Sequence, residues 1–147
     1  MNSTTHMPGY DLTAKTIARW FIVYNHTHDR TAMTSEKLNK LLYYAQGITI
    51  KYVGKTLFRD KIESSAKGPV IPAINVEFYK YGASLPIPNE LPKLGKDVNI
   101  ILQDVYEDYN KFTISELINM TCSEAPWIET PLKTTITIEK MIRYFER

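Results

Sequence analysis

The stretch from Thr34 to Gly54 constrains this chain more than any other. Leu38, Leu41, Leu42, Ala45, Ile48 and Tyr52 recur at helical spacing and form a broad apolar stripe. Thr34 can cap such a helix, because its hydroxyl can accept from the free N–H groups of the first turn. Glu36 then sits where the helix dipole favours an acid. Gly54 marks the far end. A helix with so wide an apolar surface must be covered, so the pattern predicts that it lies at the centre of the core.

The flanking segments supply the cover. Tyr10-Asp11 reads as a helix start capped by Asp11, followed by Leu12, Ile17, Trp20, Phe21 and Tyr24 at roughly helical spacing; Asn25 to Ala32 then reads as a polar loop. Residues 56–58 and 61–64 alternate weakly and predict two short strands of a hairpin or flap. Pro72 fits the first turn of a helix that would turn Ile74, Phe78 and Tyr79 inward and stop at Gly82. Pro86, Pro88 and Pro92 exclude a regular helix between Ser84 and Lys96. Val98 to Tyr109 reads as another amphipathic helix. Thr113 with Glu116 is a capping box opening a short helix, Pro126-Trp127 is a turn, and Thr137 caps a last helix. The predicted fold is mainly α: a compact single domain of about five or six helices with a small β-hairpin. The domain is expected over residues 10–147, after a flexible tail at 1–9.

The totals agree with one soluble domain. A chain of 147 residues buries roughly 70% of its unfolded surface on folding, so one core can suffice. Cys122 is the single cysteine, and a fold that must stand without an internal disulfide suits a reducing, cytoplasmic setting. No apolar run is long enough to span a membrane, and Met1 to His6 has neither the basic nor the apolar part of a secretory leader. Net charge is +2, but it is unevenly placed. Ser35–Lys67 carries seven basic against three acidic residues, and Glu90–Glu124 three against seven. These read as two solvated faces, or as a polarised surface that steers a charged protein partner. The basic segment is too dilute to make nucleic acid the expected partner.

Candidate chemistry is sparse. His26 and His28 beside Asp29 are too few for a structural metal site. Cys122 has no histidine beside it and reads as a half-buried structural thiol. Ser64-Ser65 belongs to no phosphate-binding motif, and Asp60 and Glu63 form no recognisable acid–base pair. No catalytic residues, metal or cofactor are assigned. An enzyme, the reading from a different class, would have to be built from His26, His28, Cys122 and Glu63. The aromatic residues are more informative. Tyr43 and Tyr44 differ by about 100° around a helix, so they do not face one core together, and one is expected to reach a second surface. Tyr44, Gln46, Tyr79 and Tyr81 are the expected partner-binding group. Gly68 and Pro69 are expected to shape the backbone. Trp127, after Pro126, is expected to plug the core, with a partner anchor as the other reading.

A set of short motifs, in order, carries a resemblance. The run from Met33 to Gly47 (MTSEKLNKLLYYAQG) is followed by Gly54-Lys55-x-Leu57-Phe58, Gly68-Pro69-Val70-Ile71-Pro72, and Phe78-x-x-Tyr81-Gly82. It closes with Leu117 to Trp127, which ends in Glu-x-Pro-Trp. Together they resemble the SocA-like Panacea antitoxin family, whose members are phage-associated or toxin–antitoxin proteins. Two positions depart from the family pattern: Cys122, where a histidine is frequent, and Ser65, where a bulky residue is frequent. The resemblance implies an antitoxin that neutralises a cognate toxin, encoded by the adjacent gene, through direct protein–protein binding. It equally admits an adaptor that delivers the toxin to a Clp-type protease, or a phage accessory protein that binds a host factor.

Overall fold

In the computed structural model, which describes residues 7–147, the Thr34–Gly54 stretch forms helix α2 (Ser35–Val53). The Thr34 hydroxyl accepts from the Lys37 N–H, and Gly54 closes the helix in the left-handed conformation at φ 72°, where a side chain would be strained. Six elements pack around α2 and cover it up to its last turn, where Lys51, Tyr52 and Val53 are exposed, so the expected apolar stripe stops short of Tyr52. The six are α1 (Ala14–His28), β2 (Gly68–Val70), α3 (Pro72–Phe78), α4 (Lys96–Tyr109), α5 (Ile114–Thr121) and α7 (Ile138–Phe145). A short turn of helix, α6 (Ala125–Ile128), packs on α7. The whole is mainly helical, with seven helices among the described residues and one small three-stranded sheet.

The core explains the central position of α2. Leu38, Leu41, Leu42 and Ala45 have no exposed surface at all, and neither do Trp20 and Phe21 facing them from α1. Burying a Leu or Phe side chain contributes roughly 1.5–3 kcal/mol, so this seam dominates the favourable side of folding. Where α7 crosses α2 the backbones come close. A Cβ on Gly47 would lie 2.3 Å from the Phe145 ring, so only glycine fits there.

Several sequence expectations are corrected by tertiary contacts. Helix α1 is capped by Thr13, not Asp11, and its first N–H is taken by the Asp60 carboxylate at 2.7 Å, from a residue 46 positions away. Asp11 instead pairs with Arg59 at the surface. The same helix continues into the expected Asn25–Ala32 loop as far as His28, because Tyr24 packs on Tyr106 and Asn25 accepts from the Tyr106 hydroxyl. The hairpin is shifted along the chain. Its strands are β1 (Ile62–Ser65) and β2, paired Glu63 to Val70 and Ser65 to Gly68, while Thr56 makes only an isolated bridge to Gly9. A third strand, β3 (Thr135–Ile136), pairs with β1 and gives the order β2-β1-β3. Of the expected tail at 1–9, residues 1–6 lie outside those described. The part next to them is anchored, since Pro8 and Tyr10 exchange backbone hydrogen bonds with Thr56.

Candidate partner-binding site

The polar side chains of α2 are engaged inside the protein. Lys37 donates to the Asn110 carbonyl at 2.7 Å. Lys40, only 1% exposed, donates to the Pro69 carbonyl at 3.2 Å. Tyr43 and Tyr44 donate to the two oxygens of the Glu124 carboxylate, at 2.8 and 2.7 Å. Both rings are buried, so neither reaches a second surface: α2 is enclosed, and different sides of one helix can all face protein. Gln46 accepts from the Leu57 N–H and donates to the Phe58 carbonyl. Each tie joins α2 to a different later segment. An unpaired buried donor or acceptor costs about 1–3 kcal/mol, so the ties fix one arrangement of the surrounding elements.

Burial perturbs the groups at these ties. It pushes the pKa of Tyr43 and Tyr44 well above the usual tyrosine range, and the Glu124 carboxylate adds to the effect. Glu124 is itself pushed up by burial, against the pull of the two tyrosine hydroxyls. Burial pushes Lys40 down to about 8, only partly offset by the Cys122 thiol and Glu36, while Lys67 pushes it further down. Cys122 ends α5 and is half-buried; burial raises its pKa against the opposing charge of Lys40.

The four residues nominated for partner binding therefore separate. Tyr44 is 1% exposed and stacks on Tyr109, and Gln46 is 1% exposed beneath the Leu57–Phe58 backbone. Tyr79 and Tyr81 lie in a single 3-10 turn after α3 and are 70% and 39% exposed. The expected inward Tyr79 thus points out, while Ile74 and Phe78 point in as expected. Val76, one turn before Tyr79, is 84% exposed and extends the same apolar patch. Beside it Glu77 pairs with Lys15 and Arg19 of α1.

Tyr79 also borders a cleft of about 380 Å³ between the start of α2, the β1–β2 turn and α3. Lys40 lies in its wall, and a Glu36–Lys67 ion pair of 3.5 Å joins α2 to the turn beside it. Gly68 forms the approach behind Lys40. A Cβ there would sit 2.6 Å from the Thr121 hydroxyl and 3.1 Å from the lysine Cε, and its φ of 97° also favours glycine. Pro69 supplies the carbonyl that Lys40 uses. Trp127 is half-buried, and its indole N–H donates to the Ser65 carbonyl at 2.7 Å, securing the hairpin from the α6 side. Pro126 is buried in the first turn of α6.

The remaining candidates stay apart. His28 stacks on Tyr24, Asp29 accepts from the Tyr106 hydroxyl, and no group of three metal-ligating side chains occurs among the described residues. Asp60 caps α1 and Glu63 pairs with Lys61. No described helix is long and apolar enough to cross a membrane.

What the fold defines is a helical domain whose central helix is tied to its neighbours by buried polar groups, with an apolar patch and a lysine-walled cleft at one face. Residues 38–128, more than half of the chain, match the family model described as antitoxin SocA-like, Panacea domain, and the chain belongs to that family. The matched segment runs from within α2 to α6 and contains the ties of Lys40, Tyr43, Tyr44 and Gln46, while Lys37 lies one residue before it. Searches of curated proteins and of solved structures returned no match.

Lys40, Asn39 and Glu124 were not singled out from sequence. The available signal was the helix itself: a lysine within a run that is apolar on most sides has no water-facing side to occupy.

Proposed function

We propose that this protein neutralises a cognate toxin by covering it, through the face formed by Val76, Tyr79 and Tyr81 beside the Lys40 cleft. Family membership supports a toxin as the partner. The observation that carries the location is the exposure of Val76 and Tyr79, two large side chains one helical turn apart, the second of which also borders the cleft; among the described aromatic rings outside this face only Tyr52, at the end of α2, is as exposed. Tyrosine suits such a role, since its ring gives apolar contact area and its hydroxyl a polar partner. Binding of this kind requires no cofactor.

The test is co-expression with the product of the adjacent open reading frame, scoring growth and co-purification. The unaltered chain should restore growth and hold the toxin in a stable complex. Tyr79→Ser with Val76→Asp should abolish both without unfolding the protein. Rescue that survives this double change would remove the proposed face. Rescue that needs a Clp-type protease and leaves no complex would favour delivery to proteolysis instead.

A further inference from the structure

The cleft beside Tyr79 is built to receive an acceptor, and its polarity follows from one backbone group. The Ile71 N–H can only donate, and it donates to the Asn39 side-chain oxygen at 2.9 Å. Asn39 therefore presents its amide nitrogen to Asn75 and donates to the Asn75 oxygen at 2.9 Å. That leaves the Asn75 amide nitrogen as a donor without a partner among the described residues, on a residue that lines the cleft. Lys40 uses one of its three N–H groups on Pro69 and has no other acceptor in hydrogen-bond range among the described residues. Lys67 and Tyr79 border the same space, and the only acid among the described lining residues, Glu36, is already paired with Lys67.

We propose that this cleft takes a carboxylate of the bound toxin, held by Lys40 and Asn75, with Lys67 at the mouth. The inference rests on the partner-binding reading and deepens it: the apolar patch supplies contact area, and the cleft supplies a single charged anchor. A cation without its full set of acceptors, in a water-poor wall, gains more from an anion than a surface lysine would. An acidic side chain and a chain-terminal carboxylate share this chemistry, and the test separates them.

Affinity for the neighbouring gene product is measured by calorimetry on full-length proteins. The parent, Lys40→Met and Asn75→Asp are compared, with Tyr79→Ser alongside. Asn75→Asp keeps the oxygen that Asn39 needs and replaces the free donor by an acid, so it reports on the cleft even if Lys40→Met folds poorly. One arm changes each toxin Asp or Glu to its amide, and a second extends the toxin C-terminus by two residues. Either cleft variant is expected to weaken binding roughly 30-fold or more. One toxin change should do the same to the parent and add nothing further in the cleft variants. Unchanged affinity in both cleft variants overturns the proposal, as does additivity for every toxin change. Competition by inorganic phosphate with no coupled toxin carboxylate also overturns it, in favour of a small-anion site. Loss of the complex with Tyr79→Ser alone removes the cleft and leaves the patch. Loss with the cleft variants alone does the reverse, and a neighbour that forms no complex with the parent overturns both.

Discussion

Replacing Lys40 by methionine tests whether a charge is held in the wall of the fold. Methionine preserves most of the length of the side chain and removes the ammonium. In the folded protein burial lowers the lysine pKa from 10.5 to about 8. At about 1.4 kcal/mol per pH unit, keeping Lys40 charged at pH 7 costs the folded state about 3 kcal/mol. The pKa is depressed on folding, so between pH 8 and 10.5 the unfolded chain binds more protons, and stability rises with pH. About 2 kcal/mol of the cost should be recovered between pH 7 and 9.5. The variant loses a charge-assisted bond to Pro69, worth about 1.5–3 kcal/mol, and escapes the burial cost, so the two chains should have similar stability at pH 7. At pH 9.5 the parent should have gained about 2 kcal/mol on the variant. The buried tyrosines lower the stability of both chains together as pH approaches 10, because their folded pKa values are raised, and they cancel in the difference. Cys122 is a titratable thiol beside Lys40 whose pKa burial raises, so both chains carry Cys122→Ser. Urea unfolding at pH 7, 8, 9 and 9.5, followed by tryptophan fluorescence, gives the difference directly. A difference that stays constant across this range would falsify the buried-charge account.

Other expected outcomes follow from single contacts. Tyr43→Phe or Tyr44→Phe removes one of two donors from a buried carboxylate and should cost about 1–3 kcal/mol in urea unfolding, with the pair less than additive because they share Glu124. Gly47→Ala pushes a methyl into the Phe145 ring and should cost about 1–3 kcal/mol, with Phe145→Ala in the same chain relieving the clash but opening a cavity. Trp127→Phe loses the bond to the Ser65 carbonyl, so amide exchange at Lys67 and Gly68 should quicken while α2 stays protected. Tyr79→Ser should change stability by no more than about 0.5 kcal/mol, since the ring is largely in water, while toxin rescue is lost; equal loss of stability and rescue would assign Tyr79 to the fold.

Local chemistry made much of this fold legible. The caps at Thr34, Thr113 and Thr137 all form, because each depends only on a hydroxyl and an N–H three residues on. The proline positions and the apolar stripe of α2 are also local. What was misread depended on distant residues. Asp60 reaches back to α1, and β1 takes its second partner from β3, more than 70 positions later. The exposure of two nominated residues was misread for a related reason. Surface and interior were inferred from one helix in isolation, whereas α2 is enclosed, so Tyr44 and Gln46 became internal ties and only Tyr79 and Tyr81 reached solvent. The polarised charge was overstated in the same way. Lys37 and Lys40 count toward the basic segment and Glu124 toward the acidic one, yet the two lysines lie inside the protein and Glu124 is half-buried under two tyrosines.

The ties radiating from α2 have a consequence for how such a protein can change. The residues that make the signature recognisable, from Lys37 to Gln46 and again at Glu124, are occupied with holding the frame together. Val76 and Tyr79 belong to neither the ties nor the motifs, so substitutions there alter the outer face while the frame stays as it is. If the outer face is where a toxin is met, as proposed, a frame built this way allows its partner to change through a few outer positions, and two chains that share the motifs need not answer the same toxin.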